Sequence, residues 1–234
     1  MWSSRLASPI VVMTAGAAAI AVLLIAIAML SHGRTDPAPT TALVEPRAPV
    51  PADLVDGLAL GRADAPVVLE VYGDYQCPVC GRYARDYLPR LVSDLVAPGT
   101  LRIVDRPIAF LGTGDPDESV DAAVGAACAA RQDRYWDFHD LMMWNQSGEN
   151  RGAFSRTRLF AMADRIGLDR AAFDACFGDP SVARSVGLET NAATSAGIAS
   201  TPTFVVNGQR VVGLVAYEDL AGLIRGLAQA SPAS

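Results

Sequence analysis

The sequence predicts an α/β fold in the order β-α-β, a block of helices, then β-β-α. Three observations carry this reading. An apolar, β-branched run, Val67-Val68-Leu69-Glu70-Val71-Tyr72, is followed directly by a helical pattern through Arg82, Tyr83, Ala84, Leu88, Leu91 and Leu95. Residues 116 to 197 carry helix caps and helical spacing throughout. Near the end, Thr203-Phe204-Val205-Val206 and Arg210-Val211-Val212 flank Asn207-Gly208, the two-residue turn of a hairpin.

Taken in order, residues 1–8 are a short N-terminal segment, and residues 6 to 31 carry no charge. As a helix, Pro9 to Leu30 would span roughly 33 Å, enough to cross the bilayer hydrocarbon. Residues 9–30 are therefore read as a transmembrane anchor. The alternative is a cleaved signal peptide: Ala26-Ile27-Ala28 fits a cleavage site, although signal-peptide cores run to only about 7–15 residues. Arg5 ahead of the run favours an N-terminus inside and a chain outside. Either reading puts the rest of the chain outside the cytoplasm, where disulfides persist. Residues 31–56 read as a linker. Pro37, Pro39, Pro46, Pro49 and Pro51 alternate with small and polar residues, which gives a stiff, extended chain without a core. The folded domain is expected over 57–234.

The first strand is expected at 66 to 72. A helix should run from Cys77 to about Val96, bent at Pro89, because an interior proline removes a hydrogen bond and clashes with the preceding turn. Ala97-Pro98-Gly99 is a turn, and Thr100-Leu101-Arg102-Ile103-Val104 a second strand. Strand, helix, strand without a hairpin implies a right-handed parallel crossover. In the helical block, Asp117 or Ser119 can cap a helix carrying Val120, Val124, Ala127 and Cys128. Tyr135, Trp136, Phe138, Leu141 and Met142 form the apolar stripe of another. Asp169 caps Arg170–Phe177, Gly178 ends it, and Asp179-Pro180 opens the next with proline at its first position. Leu220, Leu223, Ile224 and Leu227 mark a final amphipathic helix.

Composition excludes several chemistries. Net charge is −6, and all 19 basic residues are Arg, with no basic run to hold nucleic acid. Without Lys there is no Schiff base and no P-loop of the usual kind. The chemistry instead centres on Gly73-Asp74-Tyr75-Gln76-Cys77-Pro78-Val79-Cys80. Cys77 falls at a helix N-terminus, where backbone amides lack partners and the dipole favours negative charge. A thiol there deprotonates readily, and the thiolate is the nucleophile. Cys80, one turn on, can close a disulfide with it. A zinc site is the competing reading of Cys-x-x-Cys, but Cys128 and Cys176 are lone residues rather than a second pair, so no metal is assigned.

The stretches Leu60-Gly61-Arg62-Ala63-Asp64-Ala65-Pro66-Val67-Val68-Leu69-Glu70 and Gly73–Cys80, with Thr201-Pro202-Thr203-Phe204 and Val206-Asn207-Gly208, resemble the DsbA-like thiol:disulfide oxidoreductases of the thioredoxin superfamily, in their membrane-anchored or secreted branch. The resemblance covers about residues 58 to 229. It implies a thioredoxin fold with a helical domain inserted at about 116–197. It makes Cys77 the attacking, exposed thiol and Cys80 the resolving one, with Pro78-Val79 tuning their poise. It also makes Pro202 a cis proline packed against the Cys pair, so that Thr201 offers its backbone to an incoming peptide in β fashion. An ordinary strand-opening proline is the plainer alternative.

Cys128 and Cys176, both on expected helices in an oxidising compartment, are expected to form a structural disulfide; two free buried thiols are the alternative. Thioredoxin-like enzymes often keep a buried acid six residues before the first Cys. Here that position is Val71, and Glu70 points to the other face by alternation, so Glu70 is not assigned to catalysis. Asp74 is placed to oppose a Cys77 thiolate, and His139 is given a structural role.

The reading is an extracytoplasmic protein-disulfide oxidoreductase, monomeric and without an organic cofactor, donating its Cys77–Cys80 disulfide to the thiols of exported proteins. It would be held at the cell membrane by a single N-terminal helix, or be secreted after signal cleavage, and a membrane redox partner would reoxidise it. An anchored reductase or isomerase of the same fold, and a non-catalytic peptide-binding module, are the alternatives.

Overall fold

The computed structural model describes residues 42–230. The expected anchor at 9–30 lies outside the described residues. Among those described, no helix is long and apolar enough to cross a membrane.

Strands β1 (Val55–Asp56), β2 (Ala59–Leu60), β3 (Val67–Gly73), β4 (Leu101–Pro107), β5 (Thr203–Val206) and β6 (Gln209–Val212) form one sheet in the spatial order β1-β2-β4-β3-β5-β6. β3 lies at its centre, parallel to β4 and antiparallel to β5. The crossover between β3 and β4 is α1, a helical run over 78–96. It opens as Pro78–Arg82, widens into a π turn at Tyr83–Tyr87, tightens at Leu88–Leu91 and widens again at Val92–Val96. Pro89 falls just after the first wide turn, so the helix continues past it. A π turn relieves the crowding that a proline imposes on an α-helical turn.

The helical insertion follows β4: α2 (Glu118–Ala130), α3 (Tyr135–Trp144), α4 (Arg156–Arg165), α5 (Arg170–Phe177) and α6 (Pro180–Ser195). Carboxylates start three of them. Asp117 accepts from Val120 N, Asp169 from Ala172 N and Asp179 from Ser181 N. The hairpin turn has φ of +45° at Asn207 and +84° at Gly208, the conformation that favours Asn-Gly between strands. The Asn207 side chain also accepts from Val68 N at 2.8 Å, tying the turn to β3. α7 (Tyr217–Ala230) closes the chain.

Alternation along β3 sends Val67, Leu69 and Val71 into the main core. They pack there with Leu88, Leu91 and Leu95 of α1 and Leu220 and Ile224 of α7. Tyr72 and Val205 join a smaller cluster formed by Ile108, Ala193 and Ile198.

The N-terminal boundary differs from the sequence reading. Residues 43–56 are docked rather than free: Leu43, Val50, Leu54 and Val55 pack against the core. Asn145 of the helical insertion exchanges hydrogen bonds with Val44, and Asp140 accepts from Val50 N at 3.0 Å. Proline spacing announces a chain without a long helix, and the only helix in this segment is the single 3-10 turn Ala52–Leu54, but such a chain can lie along a surface. The scattered apolar residues between the prolines are what hold it there.

Candidate active site

β3 ends at Gly73, and the chain turns through Asp74, Tyr75 and Gln76 into α1. The turn is held by Asp74, which is fully buried. Its carboxylate accepts from Gln76 N, Phe110 N, Leu111 N and the Ser119 hydroxyl. The sequence reading set Asp74 against the thiolate; the structure instead commits it to four donors that join the β3 turn to the loop after β4 and to α2. Ser119, a possible cap from sequence, serves Asp74, and Asp117 is the cap.

Cys77 is the N-cap of α1, with Pro78 at the first helical position. Both Cys77 and Cys80 are free thiols in this structure. The pKa of Cys77 is lowered to about 6, first by the hydrogen bond with Cys80, against the opposing effect of burial, and further by hydrogen bonds with Thr201 and the backbone at Cys80 and Val79. The same sulfur–sulfur hydrogen bond, together with burial and the nearby Cys77 charge, raises Cys80 well above the ordinary thiol range. The two thiols are thus strongly unequal. Cys77 is only 5% exposed and Cys80 2%, so the sulfur read from sequence as exposed is largely covered. Of the pair, Cys77 alone lines a groove of about 640 Å³, with Val79, Phe110, Leu111, Ile198 and Thr201.

The Thr201–Pro202 bond is cis. The Thr201 carbonyl accepts from the Cys77 thiol at 3.4 Å, so the loop before β5 touches the Cys pair directly.

Two features escaped the sequence reading. The first is the loop after α3. The Gln146 amide donates to Tyr75 O and Cys77 O, and Asn150 exchanges hydrogen bonds with the Gln76 side chain while donating to Leu111 O. Glu118 holds the loop's far end by accepting from Gly152 N and Phe154 N. Gly81 leaves room for this amide: a Cβ on it would fall 1.9 Å from Gln146 Oε1, so a side chain there would have to push Gln146 aside. Nothing in the local sequence marks Gln146 or Asn150, because their partners lie about 70 residues away.

The second is Asp105. In the sheet register it stands directly opposite Val71, the position where a buried acid was sought. Asp105 is buried beside the paired hydroxyls of Tyr135 and Tyr75; Tyr135 donates to it, and the two hydroxyls are 3.0 Å apart. Burial raises its pKa, against the His139 charge and the Tyr135 hydrogen bond. Burial also works against a charged His139, but the hydrogen bond to Asp140 and the Asp105 and Asp140 carboxylates outweigh it and raise its pKa. The Tyr83 hydroxyl is buried without a hydrogen-bond partner among the described residues and feels the charges of both Asp105 and Cys80. A signal for Asp105 existed: it continues the inward parity of Leu101 and Ile103 one step past the expected strand end.

Elsewhere, Glu70 pairs with Arg106 at 2.8 Å, away from the thiols. Cys128 of α2 and Cys176 of α5 are joined by a disulfide. Among the described residues, no group of His, Cys, Asp and Glu is placed to hold a metal ion.

The chain belongs to the thioredoxin family, whose model, described as Thioredoxin, matches residues 53–225. Within that family, solved DsbA-type proteins share its fold. The structure of BdbD from Bacillus subtilis in its oxidised form superposes with a TM-score of 0.67 at 22% identity, over 74% of this chain and 93% of that one. The "Disulfide bond formation protein D" of Bacillus subtilis is 25% identical over 173 residues, 69% of this chain and 72% of the relative. The "Na(+)/H(+) antiporter NhaA 1" of Salinispora arenicola is 32% identical over 175 residues. That match takes in 75% of this chain, which spans only about a quarter (25%) of the antiporter's length.

Proposed function

We propose that this chain is an extracytoplasmic protein-disulfide oxidoreductase that donates the Cys77–Cys80 disulfide to the thiols of exported proteins. The observation that carries the reading is the inequality of the pair. Cys77 sits at the N-terminus of α1, takes a hydrogen bond from Cys80 and opens on a groove, with a pKa of about 6. A stabilised thiolate favours the reduced form, and an enzyme whose reduced form is favoured is a disulfide donor.

In this mechanism a substrate thiolate attacks Cys77 Sγ of the oxidised enzyme. The Cys77–Cys80 bond breaks, and its electron pair leaves on Cys80, whose raised pKa makes it take up a proton. Buried Asp105, raised in pKa and sharing Tyr83 as a neighbour with Cys80, is the protonable group on that side. The substrate's second thiolate then attacks its own sulfur in the mixed disulfide, and Cys77 leaves as the stabilised thiolate. Two electrons have passed from substrate to enzyme, and a membrane redox partner removes them. Thr201 and Pro202 form the wall along which the substrate lies in extended form. Cys128–Cys176 is a structural disulfide bracing the helical insertion. Residues 9–30 anchor the chain or direct its export. The direction of the chemistry is supported by the relatives' names, since the Bacillus protein is named for disulfide bond formation.

The test is trapping on the full chain. Cys80→Ser, first loaded at Cys77 as a mixed disulfide with 5-thio-2-nitrobenzoate, should exchange with a reduced single-cysteine substrate protein, releasing the coloured thiolate and leaving a reducible protein adduct, while Cys77→Ser should load no label at position 77, form no such adduct and oxidise nothing. Substrate oxidation by Cys77→Ser at the wild-type rate would refute the mechanism.

A further inference from the structure

The groove beside Cys77 is mostly apolar, walled by Val79, Phe110, Leu111 and Ile198, and Glu149 is the one charged residue in its lining. Among the described residues Glu149 has no hydrogen-bond or ion-pair partner. Glu149 is exposed, but the backbone that carries it is held. Gly148 at φ +100° and Asn150 at φ +53° flank it in the left-handed region, so the backbone turns sharply on both sides. Asn150, the next residue, is bonded to Gln76, Thr113 and Leu111. Gln146, three residues earlier, is bonded to the carbonyls of Tyr75 and Cys77. The nearest cation in sequence, Arg151, folds back over Gly148 and is not part of the lining. A loop fastened to the Cys77 turn at both ends therefore presents an unpaired carboxylate to an apolar groove, on a chain whose net charge is −6.

We propose that Glu149 makes this groove selective for substrate segments carrying an arginine or lysine side chain beside the reacting cysteine. The inference rests on the thiol-exchange reading of the site and adds the class of substrate that it takes. Apolar walls accept many side chains, whereas a fixed charge at the rim attracts one sign and repels the other. A cation close to Glu149 would also offset the negative charge that appears on Cys77 when the mixed disulfide resolves.

The experiment uses the oxidised full chain and blocked peptides that each hold two cysteines, with Arg, Gln or Glu at one flanking position. Each rate is divided by that peptide's rate with a neutral small disulfide, which removes differences in the peptides' own thiol reactivity. The expected Arg-to-Glu ratio is about fivefold at low ionic strength, shrinking towards one as salt is added. Glu149→Gln should bring the ratio close to one, and Glu149→Arg should invert it. A wild-type ratio near one, or a ratio that survives in Glu149→Gln, would overturn the proposal. The Gln peptide reads the exchange activity separately: if it is oxidised while the ratio is flat, the charge selectivity alone falls. If it is not oxidised at all, the exchange reading falls and takes the selectivity with it.

Discussion

At the scale of single residues, the proposed chemistry turns on the hydrogen bond between the two thiols, the first cause of their unequal acidity. It lowers Cys77 to about 6 and raises Cys80, so at neutral pH the reduced protein holds a thiolate at the groove and a protonated thiol behind it. The rate of Cys77 alkylation by a neutral reagent should follow this thiolate, falling below a midpoint near pH 6. A midpoint at about 8.5, that of a free thiol, would contradict it. The same shift sets a stability difference. A depressed thiol pKa stabilises the reduced fold fully above the unfolded value of about 8.5, and that stabilisation is lost as pH falls through about 6. Between these limits the reduced form should gain on the oxidised form as pH rises, by about 1 kcal/mol at pH 7. Asp105 works in the opposite sense. Its folded pKa is raised, so stability is lost as pH rises from the unfolded carboxylate value through the folded one, and His139, raised as well, adds a loss of the same sign. Asp105→Asn keeps an oxygen for Tyr135 but removes the charge. Urea unfolding followed from the unfolded carboxylate value of about 4 up to pH 7.5 should therefore show a smaller loss for Asp105→Asn than for wild type; an unchanged loss would mean that the folded Asp105 is not raised.

At the scale of elements, the parts of the site that are local in sequence were the parts that could be read. The Val67–Tyr72 strand, the Cys77 N-terminus of α1, the Asp caps of the helical block and the Asn207-Gly208 turn each follow from residues within a few positions of one another. Asp105 and the Gln146–Asn150 loop did not, because sheet register sets Asp105 opposite Val71, 34 residues away, and loop closure across about 70 residues brings Gln146 and Asn150 to the Cys77 turn. The β1–β2 hairpin was missed for a different reason: two-residue strands are too short to show a period. Within the helical insertion, the Cys128–Cys176 bond closes a 48-residue span and should add ~4 kcal/mol in the chain-entropy picture. Denaturation of the Cys128→Ala, Cys176→Ala double variant should show a loss of that order. A loss below about 1 kcal/mol would mean that the bond braces little, since removing a native bridge from a small domain usually costs several times more.

At the scale of the whole molecule, one sheet supports two assemblies that meet at Cys77. The β5 side brings Thr201 and Pro202, and the helical insertion brings the Gln146–Asn150 loop. The insertion is thus part of the site as well as a cover for the sheet, and the docked segment 43–56 ties the N-terminal side of the domain to that same insertion through Asn145 and Asp140. Direction of electron flow is a property of the molecule as a whole, set by how far it favours the dithiol over the disulfide. The most direct test is the equilibrium reduction potential of Cys77–Cys80 in the full chain, measured against glutathione buffers with Cys128–Cys176 left oxidised. A potential near or above about −180 mV is expected, the range of disulfide donors. A potential near about −270 mV, where thioredoxin lies, would contradict the donor reading and make the chain a reductant.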